Sequence, residues 1–404
     1  MSAAGTGAAS TGAASTGRID VMRPWLGTEE SDALAEVIAS GWIAQGPRVA
    51  RFEAAFAEAM GVGHAVALSS CTTALHLGLV VGGVSAGDDV VVPSFSFIAT
   101  ANAVVHAGGR PVFADVDPVT GNVTAETIAV ALTPATRAVI AVDQGGVPVD
   151  LEPIRALCDP LGILVLEDAA CGAGSRYRGR SVGAGAALTA WSFHPRKLLT
   201  TGEGGMLTTD DADLAARARC LREHSMSVSA ADRHGSVLAA PEHYDEVGFN
   251  FRMTDLQAAL GLVQLGRLPA LIERRRALAA RYAAAFADVP GLRTVTDPEH
   301  GTSNFQSFWI EVGDDYPLER DGLMAELASR DVSARRGIMA AHRQPPYRAH
   351  PNADRLPVTE RLTDRTLILP LFHALTEQDQ DRVIEAVLAP SRLAREHETA
   401  VLRA

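Results

Sequence analysis

The stretch "ILVLEDAACGAG", residues 163–174, runs through four aliphatic residues into Glu167 and Asp168 and then into a series of small residues. A short, uninterrupted apolar run closed by glycines is the pattern of a strand buried on both faces of a parallel sheet. Ligands of such sheets bind beyond the carboxyl ends of the strands, which is where Asp168 falls. A carboxylate there needs a positive partner or hydrogen bonds to remain ionised. Capping of the following turn is the competing reading of the same residue.

The rhythm repeats on both sides. "HAVAL" (64–68), "DVVVPS" (89–94), "RPVFADV" (110–116), "RAVIAVD" (137–143), "LTAWSF" (188–193) and "GGMLTT" (204–209) are separated by helical stretches. Such alternation predicts an α/β domain with a mostly parallel sheet, placed at residues 47–265. "EESDALAEVIASG" (29–41) is a helix with acidic residues in its first turn and Gly41 as its stop; it belongs to a segment, 18–46, expected to join a second domain. Thr254 and Gln257 form a capping box, and "LPALIERRRALAARYAAAFADV" is a long linking helix with Pro269 near its first turn. Residues 266–404 are expected to hold this helix and a small α+β domain with strands at "SFWIEV" and "LILPLF", and Thr376 begins the last helix. Residues 1–17, a repeat of Ala, Gly, Ser and Thr with neither a basic start nor an apolar core, read as a flexible tail and not a signal peptide.

The chain has 404 residues, 47% of them hydrophobic, and a net charge of -12. That charge disfavours nucleic acid or an anionic membrane as partner, and no apolar run is long enough to span a bilayer, so a small-molecule role in the cytoplasm is expected. Cys71, Cys158, Cys171 and Cys220 lie far apart in sequence, never in metal-binding spacing, and are expected to be buried thiols; no metal site is expected.

Of 36 basic residues a single one, Lys197 in "SFHPRKLLTTGEGG" (192–205), is lysine. Arginine replaces lysine wherever only a solvated charge is needed, so the position that resists replacement is one that must lose a proton and attack a carbonyl. A leftover surface lysine is the alternative. "AVALSSCTTALHLGL" passes from strand to helix through Ser69, Ser70, Cys71, Thr72 and Thr73, a place where amides and hydroxyls either hold a phosphate or simply cap the helix. Ser192, five residues before Lys197, can add a hydroxyl, and Phe97 in "PSFSFIAT" either stacks on a ligand ring or packs in the core. A phosphate cradle, a buried aspartate and a Schiff-base lysine at successive strand ends are together what pyridoxal phosphate requires.

The motifs "EDAAC", "SFHPRKLLTTGEGGMLTT", "GFNFRMTDLQAALG" and "SGWIAQGPRVARFEAAFA" resemble the DegT/StrS family of sugar aminotransferases, fold-type I pyridoxal phosphate enzymes, over roughly residues 20–390. The resemblance implies that Lys197 carries the cofactor's Schiff base and that Asp168 meets its pyridine nitrogen. It also implies that Ser192, Thr72 and Thr73 hold the phosphate and that Phe97 and Ala170 cover opposite ring faces. Asn250 matches an asparagine that reaches the phosphate of the neighbouring subunit, which implies a homodimer with shared active sites. The chain departs from the family pattern at three places: Cys171 stands where a glutamine near the phenolic oxygen is usual, the pair Asp143 and Gln144 where a histidine is common, and Cys71 where glycine is frequent.

The expected reaction moves an amino group from glutamate or glutamine to a keto-sugar nucleotide in deoxyaminosugar synthesis. Relatives with histidine at the lysine position are dehydratases, so Lys197 favours transamination. A cyclitol ketone as acceptor and a cofactor-binding regulator without turnover are the alternatives. A dinucleotide-binding oxidoreductase, suggested by "GAGSRYRG" and "VGAGAAL", lacks the full glycine fingerprint. Candidates for substrate contact are His194, Arg252, Arg336, His342, Arg343 and Tyr347, with solvated arginines as the plainer reading of the basic ones.

Overall fold

A computed structural model of the chain describes residues 17–228, 241–349 and 355–403; the tail expected at 1–17 lies, Gly17 apart, outside them. Each of the seven apolar runs is a strand: β1 (His64–Leu68), β2 (Asp89–Pro93), β3 (Arg110–Ala114), β4 (Thr136–Val142), β5 (Leu164–Asp168), β8 (Leu188–Ser192) and β9 (Gly205–Thr209). They form one sheet in the order β1-β9-β8-β5-β4-β2-β3. Two-residue strands β6 (Arg176–Tyr177) and β7 (Arg180–Ser181) form a side hairpin, so "GAGSRYRG" makes a turn and ribbon and not a strand-to-helix phosphate loop.

Strands β3, β2, β4, β5 and β8 run parallel to one another, while β9 is antiparallel to both β8 and β1. Parallel neighbours need a crossover, and the helices α3 (Cys71–Val81), α4 (Ala99–His106), α5 (Ala125–Ala131) and α6 (Leu151–Cys158) lie along the connecting chain. β8 and β9 are joined directly by residues 193–204, the loop that carries Lys197. Alternation along β5 sends Leu166 into one core layer with Val90, Val92, Ile140 and Leu75, and Val165 into the other with Val91, Val139 and Ile154. Both faces are therefore covered, which is why these strands read as solid apolar runs.

A second sheet, β10 (Leu292–Thr294), β12 (Phe308–Val312), β14 (Thr366–Leu369) and β13 (Arg335–Arg336) in that order, is antiparallel throughout. Its core includes Tyr282, Phe286, Phe308 and Ile310, and Ile19 from the beginning of the described chain. Ile19 is tied to it by backbone bonds to Asp331 (2.8 Å) and Ser333 (2.9 Å). Strand β11 (Gly301–Thr302) pairs with β6 of the side hairpin.

The linking helix differs from its sequence reading. One continuous helix spans Asp255–Phe286 with Pro269 inside it, so no helix begins near Pro269 and residue 265 marks no break. Proline forfeits one backbone bond and crowds the preceding turn. Ala258, Ala259, Gly261, Gln264, Leu268, Leu271, Arg275 and Leu278, on both sides of it, are buried and hold the helix together by packing. The Thr254 and Gln257 capping box opens it as expected. Its first residue, Asp255, takes the amides of Gly46 (2.9 Å), Arg48 (3.0 Å) and Val49 (3.0 Å), and so also caps α2 (Pro47–Met60), the helix after α1 (Thr28–Ser40). Among the described residues no helix is long and apolar enough to cross a membrane.

Glu167, buried beside Asp168, has its carboxyl pushed up to about 7 by burial, against the backbone amide of Gly183 and the Thr189 hydroxyl. The folded state then binds a proton that the unfolded chain has released above its own carboxylate range. Stability therefore falls as pH rises through the window from about 4.5 to 7, by at most about 3 kcal/mol. Chemical denaturation at a series of pH values should show this slope in the wild type and a flatter one in Glu167→Gln; identical slopes would exclude Glu167 as its source.

Candidate active site

Lys197 is held by its loop from both sides. The loop ends are closed by bonds from Phe193 N to Gly204 O (2.9 Å) and from Thr201 N to Phe193 O (3.0 Å). Gln306, just before β12, reaches across: its Oε1 accepts from Leu198 N (2.9 Å) and its Nε2 donates to Arg196 O (2.5 Å). Leu198 and Leu199 are buried, while Lys197 itself is half-buried, with Nζ 3.1 Å from Cys171 Sγ. Burial works to lower the proton affinity of Lys197, but Cys171, Cys71 and Asp168 outweigh it and hold the amine above its usual value.

Asp168 ends β5 as a buried side chain. Its Oδ1 accepts from Ala170 N (3.1 Å) and faces Cys71 Sγ (3.9 Å); its Oδ2 accepts from Thr100 Oγ1 (3.3 Å), which is in turn bonded to Ser96 Oγ (2.8 Å). Burial raises its carboxyl from the ordinary value against the opposing pull of the Ala170 amide, Lys197, Thr100 and Cys71. Asp143 lies deeper: Oδ1 accepts from Val149 N (2.9 Å), whereas Oδ2 has no partner among the described residues. Burial, then the charge of Glu167, push Asp143 well up. Lys197 is the cation among the groups that favour the ionised form of Asp168.

At the start of α3, Ser70 Oγ accepts from Thr73 N (3.2 Å), and Thr73 Oγ1 donates to Ser70 O (2.7 Å). Thr73, expected as a phosphate contact, is thus engaged as a cap through both its amide and its hydroxyl. The amides of Cys71 and Thr72 have no protein acceptor among the described residues, and such orphan donors at a helix N-terminus suit an anion. β9 crosses close by: a Cβ on Gly205 would lie 2.3 Å from Ser70 C and 2.6 Å from Cys71 N.

The remaining expected residues are distributed unevenly. Ala170, Cys171 and Ser192 are half-buried near these groups, and Phe97 is 64% exposed, so it is not a core residue. Asn250 is exposed; its chain neighbours Phe249 and Phe251 stack on each other (centroids 4.7 Å apart), and Phe251 O accepts from Ser69 N (2.8 Å) at the α3 start. His194 is half-buried, with Nδ1 accepting from Arg196 N (3.1 Å); burial lowers its proton affinity. Arg252 is half-buried beside the end of β1.

The other substrate candidates each have a partner within the chain. His342 is buried with Nδ1 on Ser94 Oγ (2.6 Å), and Tyr347 is buried with its hydroxyl donating to Asn102 Oδ1 (2.7 Å), because the 340–347 segment packs against β2 and α4. Arg336 pairs with Asp321 (3.0 Å) and Arg343 with Asp364 (2.7 Å). The expectation of four buried thiols is also corrected: Cys158 is buried, whereas Cys71, Cys171 and Cys220 are half-buried. Sequence reading missed Thr100, for which its place in the first turn after "PSFSF" was the available signal, and Gln306, for which a partner 110 residues away left none.

The profile of the DegT/DnrJ/EryC1/StrS aminotransferase family matches residues 24–388. A dTDP-4-dehydro-2,3,6-trideoxy-D-glucose 4-aminotransferase of Saccharopolyspora spinosa is 40% identical over 374 residues, covering 89% of this chain and 94% of that protein. The spore coat polysaccharide biosynthesis protein SpsC of Bacillus subtilis (strain 168) is 38% identical over 369 residues, 90% of this chain and 95% of that one. Among solved structures, the aminotransferase TlmJ from Streptoalloteichus hindustanus superposes with a TM-score of 0.85 at 39% identity, covering 93% of this chain and 100% of its own.

Gly205→Ala is expected to displace the α3 N-terminus, since the added methyl meets backbone and not a flexible side chain. It should cost at least about 1–3 kcal/mol of stability and weaken retention of an anionic ligand, read by denaturation and by equilibrium dialysis. A variant that matches the wild type in both would show that the close approach is unimportant. The chain is a fold-type I aminotransferase and belongs to the DegT/DnrJ/EryC1/StrS family.

Proposed function

We propose that the enzyme uses pyridoxal 5'-phosphate to move an amino group from glutamate or glutamine to a keto-sugar nucleotide, in deoxyaminosugar synthesis in the cytoplasm. The observation that carries the reading is that the chain's one lysine lies within electrostatic reach of a buried aspartate, beside a helix start whose first amides have no acceptor among the described residues. The 40% identity to an enzyme named for a 4-keto dTDP sugar supports the choice of acceptor.

The residues present fit the cofactor. The Cys71 and Thr72 amides and the Ser192 hydroxyl would hold its phosphate, and Phe97 and Ala170 would cover its ring. When bound, the cofactor supplies an aldehyde for imine formation and a protonated ring that draws electrons from the substrate carbon. Asp168 would hold the proton on the ring nitrogen: its burial resists ionisation, and an adjoining cation would relieve that cost. Lys197 would hold the cofactor's aldehyde end and, as a free amine, would take a proton from the substrate carbon and return one nearby. Asn250 is exposed, and its match to the family's asparagine would bring it to the phosphate of a second copy, which would make the working unit a homodimer. The acidic net charge leaves no role for nucleic acid or an anionic membrane.

Glutamate added to the cofactor-loaded protein should convert its yellow form to the aminated one, and a keto-sugar nucleotide should restore the colour. Lys197→Arg should lose the conversion by roughly 10³-fold or more, because guanidinium keeps its proton. A chain that binds cofactor yet shows no conversion with any amino donor is a regulator and not a transaminase.

A further inference from the structure

Two of the positions that depart from the family pattern, Cys71 and Cys171, meet at the reacting groups. Cys71 Sγ lies 3.9 Å from Asp168 Oδ1, and Cys171 Sγ lies 3.1 Å from Lys197 Nζ. Both thiols are half-buried and each is within electrostatic reach of the other. The other two cysteines are placed differently: Cys158 is sealed in the core, and Cys220 contacts Ser225 Oγ (3.7 Å) and Met226 O (3.6 Å). A cation against a sulfur that is open to a cleft is the surrounding in which peroxide oxidises cysteine selectively.

We propose that Cys171 and Lys197 are a modification site, joined by peroxide through a reversible sulfur–nitrogen bond that removes the reacting amine. In the first step the Cys171 sulfur attacks hydrogen peroxide. The O–O bond breaks, S–OH forms and one water leaves; sulfur is oxidised and peroxide reduced by two electrons. In the second, the neutral amine of Lys197 attacks that sulfur. The S–N bond forms, the S–O bond breaks, and the departing hydroxide takes a proton from nitrogen as a second water. The chain ends two hydrogens lighter. Two equivalents of a thiol reductant restore the cysteine and the amine and leave as a disulfide. The two steps share one geometry: Lys197 Nζ lies 3.1 Å from the sulfur that it attacks, so the second step follows the first without rearrangement of the chain.

The inference rests on the transamination reading for its timing, since Lys197 is engaged by the aldehyde form of the cofactor and free in the aminated form. Holoenzyme in each form, the second made with excess glutamate, is treated with hydrogen peroxide and analysed by intact mass and peptide mapping. The expected product is ~2 Da lighter and contains a joined peptide pair bearing Lys197 and Cys171. It forms at least roughly fivefold faster in the aminated form, reverts with dithiothreitol, persists in Cys71→Ser and is absent from Cys171→Ser. No other lysine competes, so a lysine–cysteine link can have only one nitrogen partner among side chains. Cys171 recovered solely as sulfinic or sulfonic acid, or in a disulfide with Cys71, overturns the proposal. A link that forms equally with and without glutamate sustains it and counts instead against the transamination reading.

Discussion

An ammonium and a carboxylate cannot be kept in a dry cleft unless the surrounding structure compels them, and most of this fold serves that purpose. Asp168 is carried in at the end of β5, whose aliphatic residues are locked between two core layers. Lys197 arrives on the loop from β8 to β9, and the reversal of β9 turns that loop back over the strand ends. Neither group is neutralised by a close ion pair with the other. The bonds to Asp168 come from an amide and a hydroxyl, and the nearest polar contact of Lys197 is a thiol. Such an arrangement costs free energy, because buried charge is only partly compensated.

The same logic explains the carboxyls behind the site. Asp143 and Glu167 are buried without cations, and both are driven toward the protonated form by burial. Burial acts on Asp168 in the same direction, but there the Ala170 amide, Lys197, Thr100 and Cys71 oppose it.

The sequence was most legible where a local pattern and a tertiary requirement agree. The seven apolar strands could be read because both sheet faces are buried, which removes the ambiguity of alternation. Lys197 stood out because a biased composition had removed every other lysine. Legibility ended where a side chain's duty depends on a distant partner. Thr73 has the residue type of a phosphate ligand, yet Ser70 claims it; Arg336 and Arg343 have the charge of substrate contacts, yet acids from neighbouring helices claim them. Pro269 marks a helix start by local rules, but burial along the whole length of the helix prevails over the lost bond.

The clamp by Gln306 gives the smaller sheet a mechanical hold on the nucleophile. Its amide grips the peptides on both sides of residue 197, and it precedes β12, the strand on which that sheet is organised. The backbone on either side of Lys197 is therefore fixed to the smaller sheet as well as to the two strands that carry its loop, and the amine takes its position from both sheets through a single carboxamide.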